Sequence, residues 1–99
     1  MSKPAYFILE IDIHDAEGMA PYLEKAGATL MPFATSLLVN GGKTIPQEGA
    51  APQGKVVVVR FNSMDAARSW YDSPAYREIL GHRLSAATNR SYIVEGFEA

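Results

Sequence analysis

The sequence predicts an α+β domain with the element order β-α-β-β-α-β, and three observations predict it. Strand-like segments, short and apolar or alternating in apolar character, stand near both ends of the chain and twice between them. Two segments of helical apolar spacing separate the first strand from the second and the third from the fourth. The second and third strands are separated only by a stretch rich in Gly, Pro, Gln and Ala, which reads as a loop.

The first strand runs from Tyr6 to Ile13. Phe7, Leu9, Ile11 and Ile13 fall on one face, and Tyr6, Ile8, Glu10 and Asp12 on the other. From Asp15 to Ala34 the period becomes helical, with Met19, Tyr22, Leu23, Ala26, Leu30 and Phe33 forming an apolar stripe. Pro21 belongs in the first turn, and Pro32 predicts a kink or a broken last turn. Ser36 to Asn40 is the second strand, ended by the Gly41-Gly42 pair as a bulge or turn, with Lys43 to Ile45 resuming it. Pro46 to Gly54 is loop.

Lys55 to Asn62 is the third strand; its four-valine run is apolar on both faces and predicts a central position. Ser63 caps the next helix, whose buried side carries Met64, Ala67, Trp70 and Tyr71. Asp72-Ser73-Pro74 stops that helix and restarts a short one, lined by Tyr76, Ile79 and Leu80 and stopped at Gly81. Ser85 to Asn89 is read as a connecting loop and Ser91 to Phe97 as the last strand.

Right-handed, short connections fold this order most simply into the ferredoxin-like arrangement, a four-stranded antiparallel sheet with the helices on one face. The first and third strands are expected to be central and to run as parallel neighbours. Residues 1–99 are expected to form one domain, because a chain of 99 residues is too short for two independent cores. The sheet face away from the helices would carry Ile8, Glu10, Asp12, Val56, Val58 and Arg60, with Glu10 and Arg60 as a pair. That is more apolar than a solvated face should be. It predicts a homodimer through this open sheet face.

Composition narrows the function. Hydrophobic residues make up 47% and charged residues 20%, ordinary for a globular chain. A net charge of −2 with scattered Lys and Arg gives no footprint for nucleic acid or an anionic membrane, so neither is an expected partner. The absence of cysteine excludes disulfides, thiolate nucleophiles and thiolate metal sites. No apolar stretch is long enough to span a bilayer, and a cytoplasmic location is expected. No Gly-x-Ser-x-Gly elbow, His-Glu-x-x-His helix or P-loop occurs.

The segment Trp70-Tyr71-Asp72-Ser73-Pro74-Ala75-Tyr76, followed by Arg83, resembles the WYxSPxY…R signature of the family called domain of unknown function 1330. Ala5-Tyr6, Val39-Asn40-Gly41-Gly42, Glu48-Gly49 and Glu95-Gly96 agree with it in order, so the resemblance covers essentially the whole length. It departs at Ala34-Thr35, where the family usually has a glycine pair, and at Ala50-Ala51, where it often has an acid and a tryptophan. The resemblance implies a branch of the dimeric α/β-barrel superfamily, whose members include cofactor-free monooxygenases and small-molecule isomerases. It implies no particular reaction.

Candidate site residues follow from chemistry. His14 lies two residues after Asp12, so a carboxylate could orient an imidazole for base catalysis; the alternative is a surface histidine near a helix start. Arg83 can grip a carboxylate in bidentate fashion or bond helix-end carbonyls. Tyr71 and Tyr76 bring amphipathic rings to the helix break, where they line a pocket or join the core beside Trp70. Asn40 and Glu48 border the long loop. The expectation is a small, partly apolar ligand between sheet and helices, with His14 as catalytic base and Asp12, Asn40, Glu48, Tyr71, Tyr76 and Arg83 as ligand-binding residues. No cofactor and no metal are expected. The alternative is a non-catalytic dimerisation or regulatory module.

Overall fold

In the computed structural model, which describes residues 3–97, the chain forms β1 (Ala5–Ile13), α1 (Ala16–Leu30), β2 (Ala34–Asn40), β3 (Lys55–Phe61), α2 (Met64–Tyr71), α3 (Pro74–Ala86) and β4 (Ala87–Glu95). The sheet order is β2-β3-β1-β4 and every neighbouring pair is antiparallel. This is the ferredoxin-like arrangement, with the second helical segment divided in two.

The central strands are β1 and β3, but they run antiparallel, which corrects the expected parallel pairing. The crossover through α1 returns β2 in the direction of β1, and the β2–β3 loop then reverses the chain. The register follows from this. Arg60 stands opposite Tyr6, too far along the strand for Glu10, whose carboxylate Oε2 instead accepts from Arg90 Nη2 of β4 at 2.7 Å.

Period-two alternation places Ala5, Phe7, Leu9 and Ile11 of β1 against the helices, where they are buried with Val59 and Phe61 of β3. Buried Met19, Ala67, Trp70, Tyr76, Ile79, Leu80 and Ala86 meet them from the helices. Asp15 caps α1, its Oδ1 accepting from Gly18 N–H at 3.1 Å. Pro21 lies in the second turn of α1, which starts at Ala16, and not in the first turn as expected. The helix ends at Leu30, earlier than the sequence pattern suggests, because Pro32 has no N–H to donate into another turn.

Three further boundaries differ from expectation. No strand resumes over 43–45: Gly41 turns the chain at φ 76°, donating its N–H to Val56 O at 2.8 Å, and β3 offers little partner backbone beyond it. Gly81 does not stop α3, which carries on to Ala86 so that Tyr76, Leu80, Arg83 and Ala86 share one buried face. The glycine costs about 1 kcal/mol of helix propensity, which burial of that face outweighs. There is therefore no loop at 85–89. β4 starts at Ala87, and the last carbonyl of α3, Ala86 O, is bonded by the N–H groups of His14 and Asp15 at 3.0 and 3.1 Å.

Candidate functional site

Two neighbouring features on the helix side of the sheet offer chemistry. The first is an apolar cleft. α1 packs mainly against α3, so it stands off the part of the sheet formed by β1, β3 and β2. The space beneath it has a volume of about 260 Å³. Its floor is Leu9, Ile11, Val57 and Leu37, and α1 roofs it with Met19, Leu23, Ala26, Gly27 and Leu30. Trp70 stands at one end, its ring 5.0 Å from that of Phe7 and 5.5 Å from that of Phe61. At the other end are Asn40, the last residue of β2, and Lys55, which opens β3 opposite Ile11.

The second feature is a buried polar network behind Tyr22, the tyrosine in the cleft lining. Tyr76 and Arg83, two helical turns apart on α3, are 0% and 1% exposed. The hydroxyls of Tyr22 and Tyr76 are 2.7 Å apart, and Arg83 Nη2 donates to Tyr76 Oη at 3.3 Å. Arg83 Nη1 donates to Asn89 Oδ1 at 2.8 Å, and the guanidinium lies 5.4 Å from the Tyr22 ring centroid. Asn89 is fixed in turn by its own donations to Arg83 O and Ala87 O. The guanidinium is thus bonded to neutral groups, and its Nε has no partner among the described residues. Burial pushes the Tyr76 phenol far above its ordinary range; Tyr22 adds to the rise, while Arg83 pulls against it. Tyr76 is a neutral donor and acceptor at any physiological pH.

The other predicted residues are dispersed. Tyr71 is half-buried, its ring 5.5 Å from Tyr76 and covered by Arg77 at 4.8 Å; it borders a separate shallow hollow with Ser91, Tyr92 and Ile93. His14 and Asp12 are exposed at the end of β1, and neither side chain makes a hydrogen bond among the described residues. Glu48 is exposed on the β2–β3 loop. None of these last three lines the cleft. A larger hollow of about 420 Å³ lies on the opposite sheet face, between residues 50–53 and the Glu10–Arg90 pair. Among the described residues, no three His, Asp or Glu side chains stand close enough to hold a metal ion together. Nor is any described helix long and apolar enough to cross a membrane.

Tyr22, Lys55 and Asn89 escaped the sequence reading as site residues. Tyr22 is the one hydroxyl in the apolar stripe of α1, and a buried hydroxyl needs a partner; that signal was available. Asn89 was hidden by reading 85–89 as loop, since only in a strand does it face Arg83. Lys55 carried no signal beyond opening a strand.

A model of the family described as Domain of unknown function (DUF1330) matches residues 4–97. No curated protein matches the sequence. Among solved structures, the chain is similar to a protein of unknown function from Rhodopseudomonas palustris, at 18% identity and a TM-score of 0.76, covering 100% of this chain and 86% of that one. It is similar to SnoaB, a cofactor-independent oxygenase from Streptomyces nogalater, at 12% identity and a TM-score of 0.66, covering 99% and 97%. A dimeric ferredoxin-like protein of unknown function from Thermobifida fusca aligns at 12% identity and a TM-score of 0.68, covering 96% and 92%.

Proposed function

The chain belongs to the family described as Domain of unknown function (DUF1330), and from the cleft its fold builds we propose that it binds or transforms a small, partly apolar molecule beneath α1. The observation that carries this reading is the apolar lining of that 260 Å³ space, formed by α1 standing off the sheet. Concave, largely apolar sites with a few polar groups are the usual form of small-molecule sites. The existence of a cofactor-independent oxygenase on the same fold is consistent with chemistry in such a cleft, although fold likeness alone assigns no reaction.

Of the residues expected to bind ligand, Asn40 borders the cleft, while Tyr76 and Arg83 stand behind Tyr22 and hold that ring in place. We further propose that residues 1–99 act as one domain and pair with a second copy through the open sheet face. Ile8, Val56 and Val58 lie there with Tyr92 and Val94, the last two 48% and 41% exposed in the single chain. The Thermobifida fusca protein, a dimer of similar fold, supports pairing as such.

Gly27→Leu tests the cleft. Gly27 lines it, and a Cβ there meets nothing within 4 Å, so the leucine enters open space. Removing a helical glycine also stabilises α1 by about 1 kcal/mol. The expected result is a higher melting temperature together with at least about a tenfold loss of affinity for the neutral fluorescent probe N-phenyl-1-naphthylamine. Undiminished probe binding in the folded variant would sink the cleft reading. His14→Ala is expected to leave that affinity unchanged.

A further inference from the structure

We propose that the cleft takes a monoanionic ligand, a small ring-sized apolar body ending in a carboxylate, with the carboxylate held by Lys55 and Asn40. This rests on the reading of the cleft as a small-molecule site and names the ligand class that fits it.

The polar groups of the lining carry the argument. At the Trp70 end they are already engaged: Trp70 Nε1–H donates to Thr29 Oγ1 at 3.1 Å, and the Tyr22 and Tyr76 hydroxyls bond each other at 2.7 Å. At the opposite end, the Asn40 amide and the Lys55 ammonium make no side-chain hydrogen bond or ion pair among the described residues. Among the described residues no carboxylate lines the cleft, and Lys55 is the one charged group of that lining. A cation and an amide donor at one end of an apolar trough match the acceptors of a carboxylate, while the rest of the trough rewards an apolar body.

The lysine is also guided there. Gly41 turns at φ 76°, and a Cβ on it would come within 3.1 Å of Lys55 Cδ and 3.6 Å of its Cβ. The glycine therefore leaves a lane along which the half-buried lysine stem runs. A stem constrained in this way loses less side-chain entropy when the ammonium engages a ligand. The volume, about 260 Å³, lies just below the range of about 300–1,000 Å³ common for ligand sites, which suits a one- or two-ring molecule.

The probes are 2-naphthoate and its neutral isostere 2-naphthamide, titrated by calorimetry against the full chain and Lys55→Met, which keeps an apolar stem of similar length. The native protein is expected to bind naphthoate at least about tenfold more tightly than naphthamide. A rise of about tenfold in ionic strength should narrow that gap. Lys55→Met should lose the preference while binding naphthamide as before. Equal affinities in the native protein, or a preference that survives Lys55→Met, would overturn the anionic assignment and leave the cleft standing. Failure of both probes to bind the native protein would overturn the cleft reading with it. A variant that fails to fold is replaced by the salt dependence in the native protein, where a flat naphthoate response overturns the assignment.

Discussion

Tyr76 has its hydroxyl met from two sides, by Tyr22 at 2.7 Å and by Arg83 at 3.3 Å, in a site that water does not reach. Its phenol titrates well above the ordinary value of 10.0 because burial penalises the phenolate. In the unfolded chain it returns to about 10. Above that pH the unfolded state gives up a proton that the folded state keeps, so stability falls as pH rises. This contribution is fully present below pH 10 and should decline with a slope of up to about 1.4 kcal/mol per pH unit above it. Chemical denaturation between about pH 8 and 11 should reveal that decline, and Tyr76→Phe should flatten it while lowering stability at neutral pH by about 1 kcal/mol. Identical pH slopes in the two proteins would contradict the buried network. Tyr76 and Arg83 stood out in the sequence through the WYxSPxY…R pattern, although the helix that sets them two turns apart was read as stopping at Gly81. Their partners did not stand out, since which hydroxyl or amide meets a buried guanidinium depends on how the elements pack.

At the scale of elements, the β2–β3 loop is tied down by a position that tolerates one residue type. Gly54 turns the chain at φ 70° into β3, and a Cβ there would overlap the carbonyl of Ile11 on β1. Gly54→Ala must move backbone that belongs to two strands, and is expected to cost at least about 2 kcal/mol, measured as a lower urea midpoint. Gly49 also has positive φ, at 73°, but a Cβ there meets nothing within 4 Å; Gly49→Ala should cost less, about 1 kcal/mol. Equal costs would mean that backbone conformation alone governs both sites. The first and third strands and the starts of α2 and α3 were readable because alternation, the Ser63 and Ser73 caps and Pro74 act locally, whereas β4 begins four residues before the expected Ser91. Helix ends were not: Gly81 looks like a stop, and only the packed face bearing Arg83 and Ala86 carries α3 through it.

For the whole molecule, the governing fact is a sheet with helices on one side only. The order β2-β3-β1-β4 was legible because the two most strand-like segments take the centre. Relative strand direction was misread, and with it the partner of Glu10. An apolar open face crossed by the Glu10–Arg90 pair suits burial against a symmetric copy, in which each substitution acts twice. Val58→Asp, at the centre of that face opposite Ile8, should weaken association by at least about a hundredfold, with sedimentation at half the native mass. Its helix side is untouched, so the variant should keep its probe-binding cleft. A native protein that sediments as a monomer would end the dimer proposal.

The pairing of β1 with β4 has a consequence for synthesis. Of the four strands of the sheet β1 leaves the ribosome before the others, yet its register with β4 runs from Ala5 opposite Glu95 to Ile13 opposite Ala87. Its other partner, β3, begins only at Lys55. A nascent chain therefore carries Phe7, Leu9 and Ile11 without their full sheet until residues near 95 have emerged. Such an exposed, unpaired apolar strand is what holdase chaperones capture and what aggregates when they are scarce. Arrested chains ending before Ala87 should bind such a chaperone and resist protease poorly, whereas chains extended far enough to free Glu95 should close the sheet and release it.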